Sequence, residues 1–159
     1  MLNLFKKSNQ VKLYSPVNGK RIDLSKVKDR VFSSKMMGDG LAFQFEEDTL
    51  YSPCDGQVAL VYETLHAYGF RLDNGAEVLL HIGMDTVNLN GEGFTSFVKQ
   101  GQKVKVGDPI VKIDLEFMKE KGIDLTTPMI LTNGSNFEYT ICLDCENVKA
   151  KTDVVVEFK

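Results

Sequence analysis

The sequence predicts an all-β protein, an antiparallel β-sandwich with at most one or two short helices, and three observations support this prediction. Turn-forming combinations of glycine, proline, asparagine and aspartate recur at short spacing along the chain. Short apolar runs lie between these turns, which is typical of sandwiches and barrels. The segment LYSPVNG at 13–19 also recurs as LYSPCDG at 50–56, and each copy places a turn between apolar flanks.

The individual elements follow from these apolar runs and their stop signals. The one segment that favours a helix is LEFMKEKG at 115–122, where Asp114 can cap the amino end and Gly122 can terminate it. The runs expected to form strands are, in chain order, 41–45, 57–62, 70–72, 77–82, 103–106, 109–113, 128–132, 137–141 and 154–158.

The composition is that of one globular domain. The chain has 159 residues, of which 43% are hydrophobic and 26% are charged. We expect residues 1–10 to form a flexible segment and residues 11–159 to form a single domain. The net charge of -3 argues against nucleic-acid binding. The apolar runs are too short for a bilayer and the amino end lacks the signal-peptide pattern, so we expect a cytoplasmic protein.

The three cysteines, Cys54, Cys142 and Cys145, are expected to be reduced structural thiols. Their odd number and the lack of an export signal favour a reducing compartment. The C-x-x-C pair at 142–145 lies in a β-rich tail, whereas redox pairs usually lie at a strand-to-helix turn.

The chain contains two histidines, and the sequence predicts that they lie close together. The Asn-Gly dipeptide at 74–75 predicts a two-residue hairpin turn. The register set by that turn places His66 opposite Gly83 and makes His66 a diagonal neighbour of His81 on one face, with backbones roughly 7–8 Å apart. Thr64 continues the same face if the strand extends that far.

Strand parity leaves the surroundings and the chemistry of this pair open. Burial of the opposite face would place both histidines in an exposed apolar patch, which usually marks a docking surface. Alternatively, both histidines are hydrogen-bonded core residues. Two chemistries suit the pair: ligation of a metal such as zinc, and nucleophilic transfer of a phosphoryl group by a neutral imidazole. In the second case, Thr64 would orient a ring or donate to phosphate.

Several segments together closely resemble the glucose-family enzyme IIA components of the bacterial phosphoenolpyruvate-dependent sugar phosphotransferase system. HIGMDTVNLNGEGF, which begins at His81, resembles the active-site signature of that family. The other matching segments are VFSSKMMGDG, YSPCDGQV, ETLHAYG, VKQGQKVKVGDPI and TTPMILTN. The resemblance covers roughly residues 11–135 and is loose from Asn136 onward. It implies a β-sandwich with jelly-roll or Greek-key topology.

The resemblance also implies a function, a phosphocarrier with phosphotransferase activity. By this resemblance, His81 accepts a phosphoryl group from the phosphocarrier protein HPr, and His66 is the second active-site histidine, supported by Thr64. The phosphoryl group then passes to the IIB domain of a glucose-family sugar permease. The family docks its partners through an apolar depression with acidic edges, and the residues that match it are Asp29, Val31, Phe32, Met36, Met37, Leu79 and Asp85.

No cofactor, resident metal or direct contact with sugar is expected, and regulatory proteins are additional expected partners. Two other functions stay open at this point. One is a regulatory binding module whose phosphorylation is only a signal. The other is a β domain that binds metal through its histidines.

Overall fold

The protein is described by a computed structural model that covers residues 10–144 and 146–159. Strands dominate the described part of the chain, which contains two short α-helices, α1 (Arg30–Ser33) and α2 (Leu115–Glu120). The all-β prediction with at most one or two short helices is therefore confirmed. Short 3-10 turns complete the helical elements, and they span Leu24–Lys26, Thr86–Leu89 and Gly134–Asn136.

The strands are short and are separated by the predicted glycine- and proline-rich turns. In chain order they are β1 (Lys12–Tyr14), β2 (Gly19–Asp23), β3 (Asp39–Phe45), β4 (Thr49–Tyr51), β5 (Gly56–Val61), β6 (Ala67–Leu72), β7 (Glu77–His81), β8 (Phe94–Ser96), β9 (Lys103–Val104), β10 (Pro109–Ile113), β11 (Thr127–Leu131), β12 (Tyr139–Ile141), β13 (Asn147–Val148) and β14 (Val154–Phe158).

These strands form one large sheet and two small sheets, and all the pairings are antiparallel. The eight-stranded sheet has the order β13-β2-β3-β11-β7-β6-β5-β9. The small sheets have the orders β1-β14-β12 and β4-β10-β8. Strands distant in sequence are thus neighbours in space, notably β11 between β3 and β7, as expected of a Greek-key arrangement.

The strand orders show an approximate two-fold symmetry whose axis passes between β11 and β7. Exchanging β13, β2, β3 and β11 for β9, β5, β6 and β7 reproduces the order of the large sheet from its other edge. The same operation exchanges the two small sheets, strand for strand. The chain therefore consists of two similar halves, with β4–β10 inserted between β3 and β11 of the other half.

The sequence repeat lies at matching places in these halves, and its two copies bind each other. The Tyr14 N–H donates to the Pro53 carbonyl at 2.8 Å, and the Tyr51 N–H donates to the Pro16 carbonyl at 2.7 Å. The two Ser-Pro turns are therefore joined by reciprocal backbone hydrogen bonds. The repeat that the sequence shows as a pattern of turns is, in the structure, a joint between the halves.

The two faces of the large sheet are covered differently. Its inner face packs against the small sheets in the main core, with Phe43, Tyr68, Phe70 and Leu80 fully buried. Its outer face is covered in part by the connection between β2 and β3, residues 24–38. A second apolar cluster lies beneath that connection and contains Leu24, Val27, Phe32, Ala42 and Ile130.

The β6–β7 hairpin differs from the prediction by one residue. The Gly75 N–H donates to the Leu72 carbonyl at 3.0 Å, and the Leu72 N–H donates to the Ala76 carbonyl at 2.9 Å. The loop therefore has three residues, with positive φ at Gly75 (87°), a familiar alternative to the two-residue turn. Asn74 caps the Ala76 N–H with its side chain, at 3.0 Å, and does not adopt a positive φ. The predicted two-residue turn and its register are wrong.

The predicted helix is confirmed, together with its capping residue at the start, Asp114, and its glycine stop signal, Gly122. The Asp114 carboxylate accepts the Phe117 N–H at 3.0 Å at the start of α2. Gly122, just beyond the end of α2, has the positive φ (68°) typical of a glycine stop. Helix α1 was not expected, because one turn of helix carries no readable periodicity. It is capped by Asp29, whose carboxylate accepts the Val31 N–H at 2.9 Å.

Residues 1–9 of the predicted flexible segment lie outside the described residues. At the boundary, the Gln10 side-chain amide donates to the Phe158 carbonyl at 2.9 Å. Cys145 also lies outside the described residues, whereas Cys54 is a buried free thiol and Cys142 a half-buried one. Within residues 10–144 and 146–159, no helix has the length and apolar character needed to cross a bilayer.

We predict that Ser52→Ala destabilises the protein by about 1–3 kcal/mol, because the Cys54 carbonyl would lose its buried donor. The Ser52 hydroxyl is fully buried and donates to that carbonyl at 2.7 Å, as Ser15 does to Val17 in the other copy of the repeat. Urea unfolding measures the change. Ser135→Ala, at an exposed position, is the control and should change stability by less than about 0.5 kcal/mol. Equal effects of the two substitutions would contradict a stabilising role of the buried hydrogen bond from Ser52 to the Cys54 carbonyl.

Candidate functional site

His81 is the last residue of β7, and its side chain points to the outer face of the large sheet. It pairs with Ala67 on β6, two positions beyond the pair of Leu79 with Gly69, so these residues share a face. The His81 Nδ1 lies 3.0 Å from the Gly83 carbonyl oxygen. Because a carbonyl only accepts, Nδ1 carries the ring hydrogen in the neutral imidazole, and Nε2 keeps its lone pair.

Gly83 makes this hydrogen bond feasible through its backbone conformation. Its φ is +78°, and a Cβ at this position would lie 2.7 Å from the Thr86 side chain and 3.0 Å from the Asp124 carbonyl. Only glycine fits here without displacement of the neighbours. The turn that follows β7 therefore folds back and presents its carbonyl to the histidine that precedes it.

His66 lies in the loop 62–66 between β5 and β6, just before Ala67. Its imidazole is 2% exposed, and its Nδ1 lies 2.6 Å from the Thr64 hydroxyl. Its backbone carbonyl accepts the Ile82 N–H at 2.7 Å, which ties the loop to the end of β7. Leu65 has a positive φ of 59°, so the chain departs from strand geometry immediately before His66.

The two imidazoles are in contact, as predicted. Their ring centroids are 4.9 Å apart and their planes are nearly perpendicular, at 83°. The backbone arrangement that brings the rings together differs from the predicted one, because His66 is opposite Ile82 and not Gly83. Continuous strand parity would then direct its side chain to the inner face. The left-handed turn at Leu65 ends that parity, and His66 meets His81 from the loop.

Burial keeps both imidazoles neutral near pH 7. Burial, with a smaller contribution from the proximity of His81, lowers the pKa of His66 to about 4 from the ordinary value of 6.5. Burial also lowers the pKa of His81, and this effect is opposed by the Gly83 carbonyl and by the carboxylates of Asp29 and Asp85. The net result is a pair of uncharged rings with acidic groups at their edge.

Two aromatic rings flank the histidine pair. The Phe32 ring lies 5.0 Å from the His81 ring, between centroids, at an angle of 51°. The Tyr62 ring lies 5.3 Å from the His66 ring and is nearly perpendicular to it, at 79°. The sequence did not single out Tyr62. The available signal was its place at the end of the 57–62 run, directly after β5 and at the start of the loop that contains His66.

The expected docking residues separate into exposed and buried sets. Val31, Met36 and Met37 are 43%, 78% and 36% exposed. Phe32 and Leu79, by contrast, are 4% and 7% exposed and form the floor beneath the histidines. The apolar surface that a partner can reach beside the site is thus formed mainly by α1 and the residues that follow it.

The two acids expected at the edge of the depression both adjoin His81, and each has a backbone role. Asp29 is the N-cap of α1. Asp85 has a positive φ of 58° and precedes the 3-10 turn that begins at Thr86. Both carboxylates act on the His81 imidazole through charge. Among the described residues, no group of three or more histidine, cysteine, aspartate or glutamate side chains is placed to hold a metal ion.

Comparison with known protein families identifies the family of this chain. Residues 11–137 match the family model of the phosphoenolpyruvate-dependent sugar phosphotransferase system, EIIA 1. The chain belongs to this family. The matched residues include α1, the loop 62–66 and the segment that begins at His81. Members of this family are phosphocarriers of the sugar phosphotransferase system, and the chain has that role.

Named relatives agree with this assignment. The chain is 46% identical over 121 residues to the PTS system glucose-specific EIIA component of Halalkalibacterium halodurans, covering 76% of this chain and 70% of that protein. It is 44% identical over 139 residues to the PTS system beta-glucoside-specific EIIBCA component of Bacillus subtilis, covering 87% of this chain. The chain thus spans 23% of the length of that larger relative.

A solved structure shows the same fold. The chain resembles glucose permease IIA from Mycoplasma capricolum with a TM-score of 0.84 and 36% sequence identity. The similarity covers 93% of this chain and 96% of that one. This coverage is greater than residues 1–137 alone could supply, so the structural similarity extends into the part of the chain where the sequence resembles the family only loosely.

We predict that His66 stays unprotonated down to about pH 4, whereas a free histidine would titrate near 6.5. NMR titration of the ring nitrogens measures this directly. Because the unfolded chain binds a proton near pH 6.5 and the folded chain does not, stability should fall as the pH decreases from 6.5 towards 4. His66→Gln should remove this part of the pH dependence. Titration of His66 near pH 6.5 would refute the prediction.

Proposed function

We propose that Nε2 of His81 accepts a phosphoryl group from HPr and passes it to the IIB domain of a sugar permease. The observation that carries this proposal is the hydrogen bond from Nδ1 to the Gly83 carbonyl. It holds the proton on Nδ1 and leaves the Nε2 lone pair free to attack phosphorus. In this step the new N–P bond forms as the bond from phosphorus to the donor histidine breaks.

His66 has a different role in this proposal, the stabilisation of the transferring phosphoryl group. The Thr64 hydroxyl lies 2.6 Å from Nδ1 of His66, and we infer that it donates to this nitrogen, which would place the ring proton of the neutral imidazole on Nε2. An N–H donor next to His81 can then bind a phosphoryl oxygen. Phosphoryl transfer depends mainly on positioning and on stabilisation of charge at these oxygens, so a fixed donor beside the nucleophile is of direct use.

Docking of both partners is proposed to use the exposed apolar surface of Val31, Met36 and Met37, with Asp29 and Asp85 at its edge. A basic docking face on HPr suits these carboxylates, and charge of this kind mainly raises association rates. Methionine side chains adapt to different surfaces, which suits a carrier that serves two partners in turn and also regulatory proteins. Phe32 and Leu79 support this surface from below.

The location and wider context belong to the same proposal. The beta-glucoside-specific relative joins B, C and A components in its name, which supports a IIB domain as the acceptor. Transfer from HPr to a IIB domain is a cytoplasmic reaction, and we propose that the domain, residues 11–159, acts there. The sugar itself need not contact this domain, because only the phosphoryl group passes through it.

We predict that label from phosphoenolpyruvate, passed through enzyme I and HPr, appears on His81 as an acid-labile and base-stable phosphoramidate. His81→Ala should take no label, because the nucleophile is gone, while His66→Gln should still be labelled. Mass spectrometric mapping under alkaline conditions locates the phosphoryl group. Label on His66 or on a hydroxyl side chain would exclude His81 as the nucleophile.

We predict that His66→Gln slows delivery to the IIB domain much more than it slows acceptance from HPr. Loss of a donor to a developing charge costs on the order of 2.7–4 kcal/mol in comparable sites, or about 10²–10³ in rate. Single-turnover kinetics of each half-reaction measure the two steps separately. Thr64→Val, which removes the hydroxyl that orients His66, should affect the same step to a smaller extent. Equal slowing of both steps would show that His66 is only a structural support.

A further inference from the structure

The packing of His66 has one element that its chemistry alone does not explain, the tyrosine on its solvent side. The contacts of the His66 imidazole include the Thr64 hydroxyl, the His81 ring and the Tyr62 ring. His66 is 2% exposed even though it lies in a hairpin loop, in which Glu63 is exposed and Thr64 and Leu65 are half-buried. Side chains that pack against this ring therefore contribute to the exclusion of water from it.

Tyr62 is placed to do this, because its backbone is fixed on both sides. Its N–H donates to the Ala67 carbonyl at 3.1 Å, and its carbonyl accepts the Leu65 N–H at 2.8 Å. These two bonds close the loop that contains His66. The ring of Tyr62 is 38% exposed, whereas the ring it packs against is buried. Tyr62 is thus the outer member of the row Tyr62, His66 and His81.

We propose that Tyr62 is the positioning residue for His66, whose ring it holds against His81 and shields from water. The Thr64 hydrogen bond fixes the rotation of the His66 imidazole about its Cβ–Cγ bond. The His66 ring is nearly perpendicular to the Tyr62 ring on one side and to the His81 ring on the other, and these two contacts fix its tilt. This role of Tyr62 rests on the proposed function of His66 as a donor to the phosphoryl group. The ring of Tyr62 performs it, and the phenol hydroxyl is not required.

Loss of the Tyr62 ring should change the protonation of His66 as well as its orientation. The groups that face the histidine pair are the Thr64 hydroxyl, the two imidazoles, and the carboxylates of Asp29 and Asp85, which act on His81. Without the Tyr62 ring, water would enter at its position and would stabilise the protonated, cationic form of His66, which raises the pKa of this group. A protonated His66 carries a hydrogen on both ring nitrogens, so its Nδ1 would donate to the Thr64 hydroxyl oxygen and the direction of the orienting bond would reverse.

The test compares Tyr62→Ala and Tyr62→Phe with Leu60→Ala as the matched control. Leu60 is 41% exposed, lies on β5 two residues before Tyr62, and packs over Gly69 rather than at His66. The first readout is NMR titration of the His66 ring nitrogens in the free protein. We expect Tyr62→Ala to raise the pKa of His66 from about 4 towards 6.5. Tyr62→Phe and Leu60→Ala should titrate like the wild type.

The second readout is single-turnover delivery from phosphorylated protein to a IIB domain. Tyr62→Ala should slow delivery by about 10- to 100-fold, the cost of a misplaced catalytic group, with a greater loss at pH 6 than at pH 8. Tyr62→Phe, which keeps the ring, should transfer the phosphoryl group at the wild-type rate. Should Tyr62→Ala fail to fold, Tyr62→Leu, which keeps apolar bulk without a planar ring, should raise the pKa of His66 by a smaller amount.

The outcomes separate this inference from the function on which it rests. An unchanged His66 titration in Tyr62→Ala, or in Tyr62→Leu if that variant is needed, would overturn the positioning role. Slower transfer with an unchanged titration would do the same and would make Tyr62 a docking contact. A protein that takes no phosphoryl group at all would refute the proposed function. The titration of the free protein would still decide whether Tyr62 positions His66.

Discussion

The pairing of β7 with β11 at the centre of the large sheet is the contact on which the rest of the structure depends. It joins the two halves of the chain through the pairs Leu80 with Met129, and Leu79 with Ile130. The first pair points into the main core, and the second points to the outer face, beneath the histidine site. One backbone pairing therefore fixes the core, the floor of the site and the position of His81 at the end of β7.

The site balances two opposing electrostatic effects, and the balance suits a carrier that accepts a group and then releases it. Burial disfavours charge on either imidazole, while the carboxylates of Asp29 and Asp85 favour it on His81. In the proposed mechanism the neutral His81 is the nucleophile, and the carboxylates of Asp29 and Asp85 stabilise positive charge on its ring. The Gly83 carbonyl would accept the Nδ1 hydrogen both before and after Nε2 carries the phosphoryl group.

Much of the fold could be predicted from sequence because it depends on local patterns, and the hairpin alone brought the two histidines near each other although its predicted register was wrong. Turn residues between short apolar runs gave the all-β class, and the signals at Asp114 and Gly122 gave the bounds of α2. The hairpin register could not be read in the same way, since Asn74-Gly75 suits a two-residue or a three-residue loop. The outcome depends on whether Asn74 caps Ala76 with its side chain, which is a matter of packing.

The details of the site were less accessible to sequence reasoning for a related reason. Phe32 and Leu79 were identified with the apolar docking surface, but whether a large apolar side chain is a floor or a surface depends on what lies above it. Tyr62 was missed because its importance comes from a ring contact across a tight loop. Its position at the end of an apolar run resembles that of any strand residue. For Phe32 and Leu79 the decisive neighbours belong to other elements, and for Tyr62 the decisive neighbour is His66 in the same loop.

The approximate two-fold symmetry of the scaffold has a consequence for how many active sites one chain can hold. The connection between β2 and β3, residues 24–38, and the connection between β5 and β6, residues 62–66, occupy equivalent places in the two halves. The longer one folds over the outer face and buries Ala42 and Ile130. The shorter one remains a tight loop that carries His66. Both histidines of the chain lie in the half that has the short connection, one in that loop and one at the end of β7. A scaffold with two similar halves therefore carries one histidine site per chain.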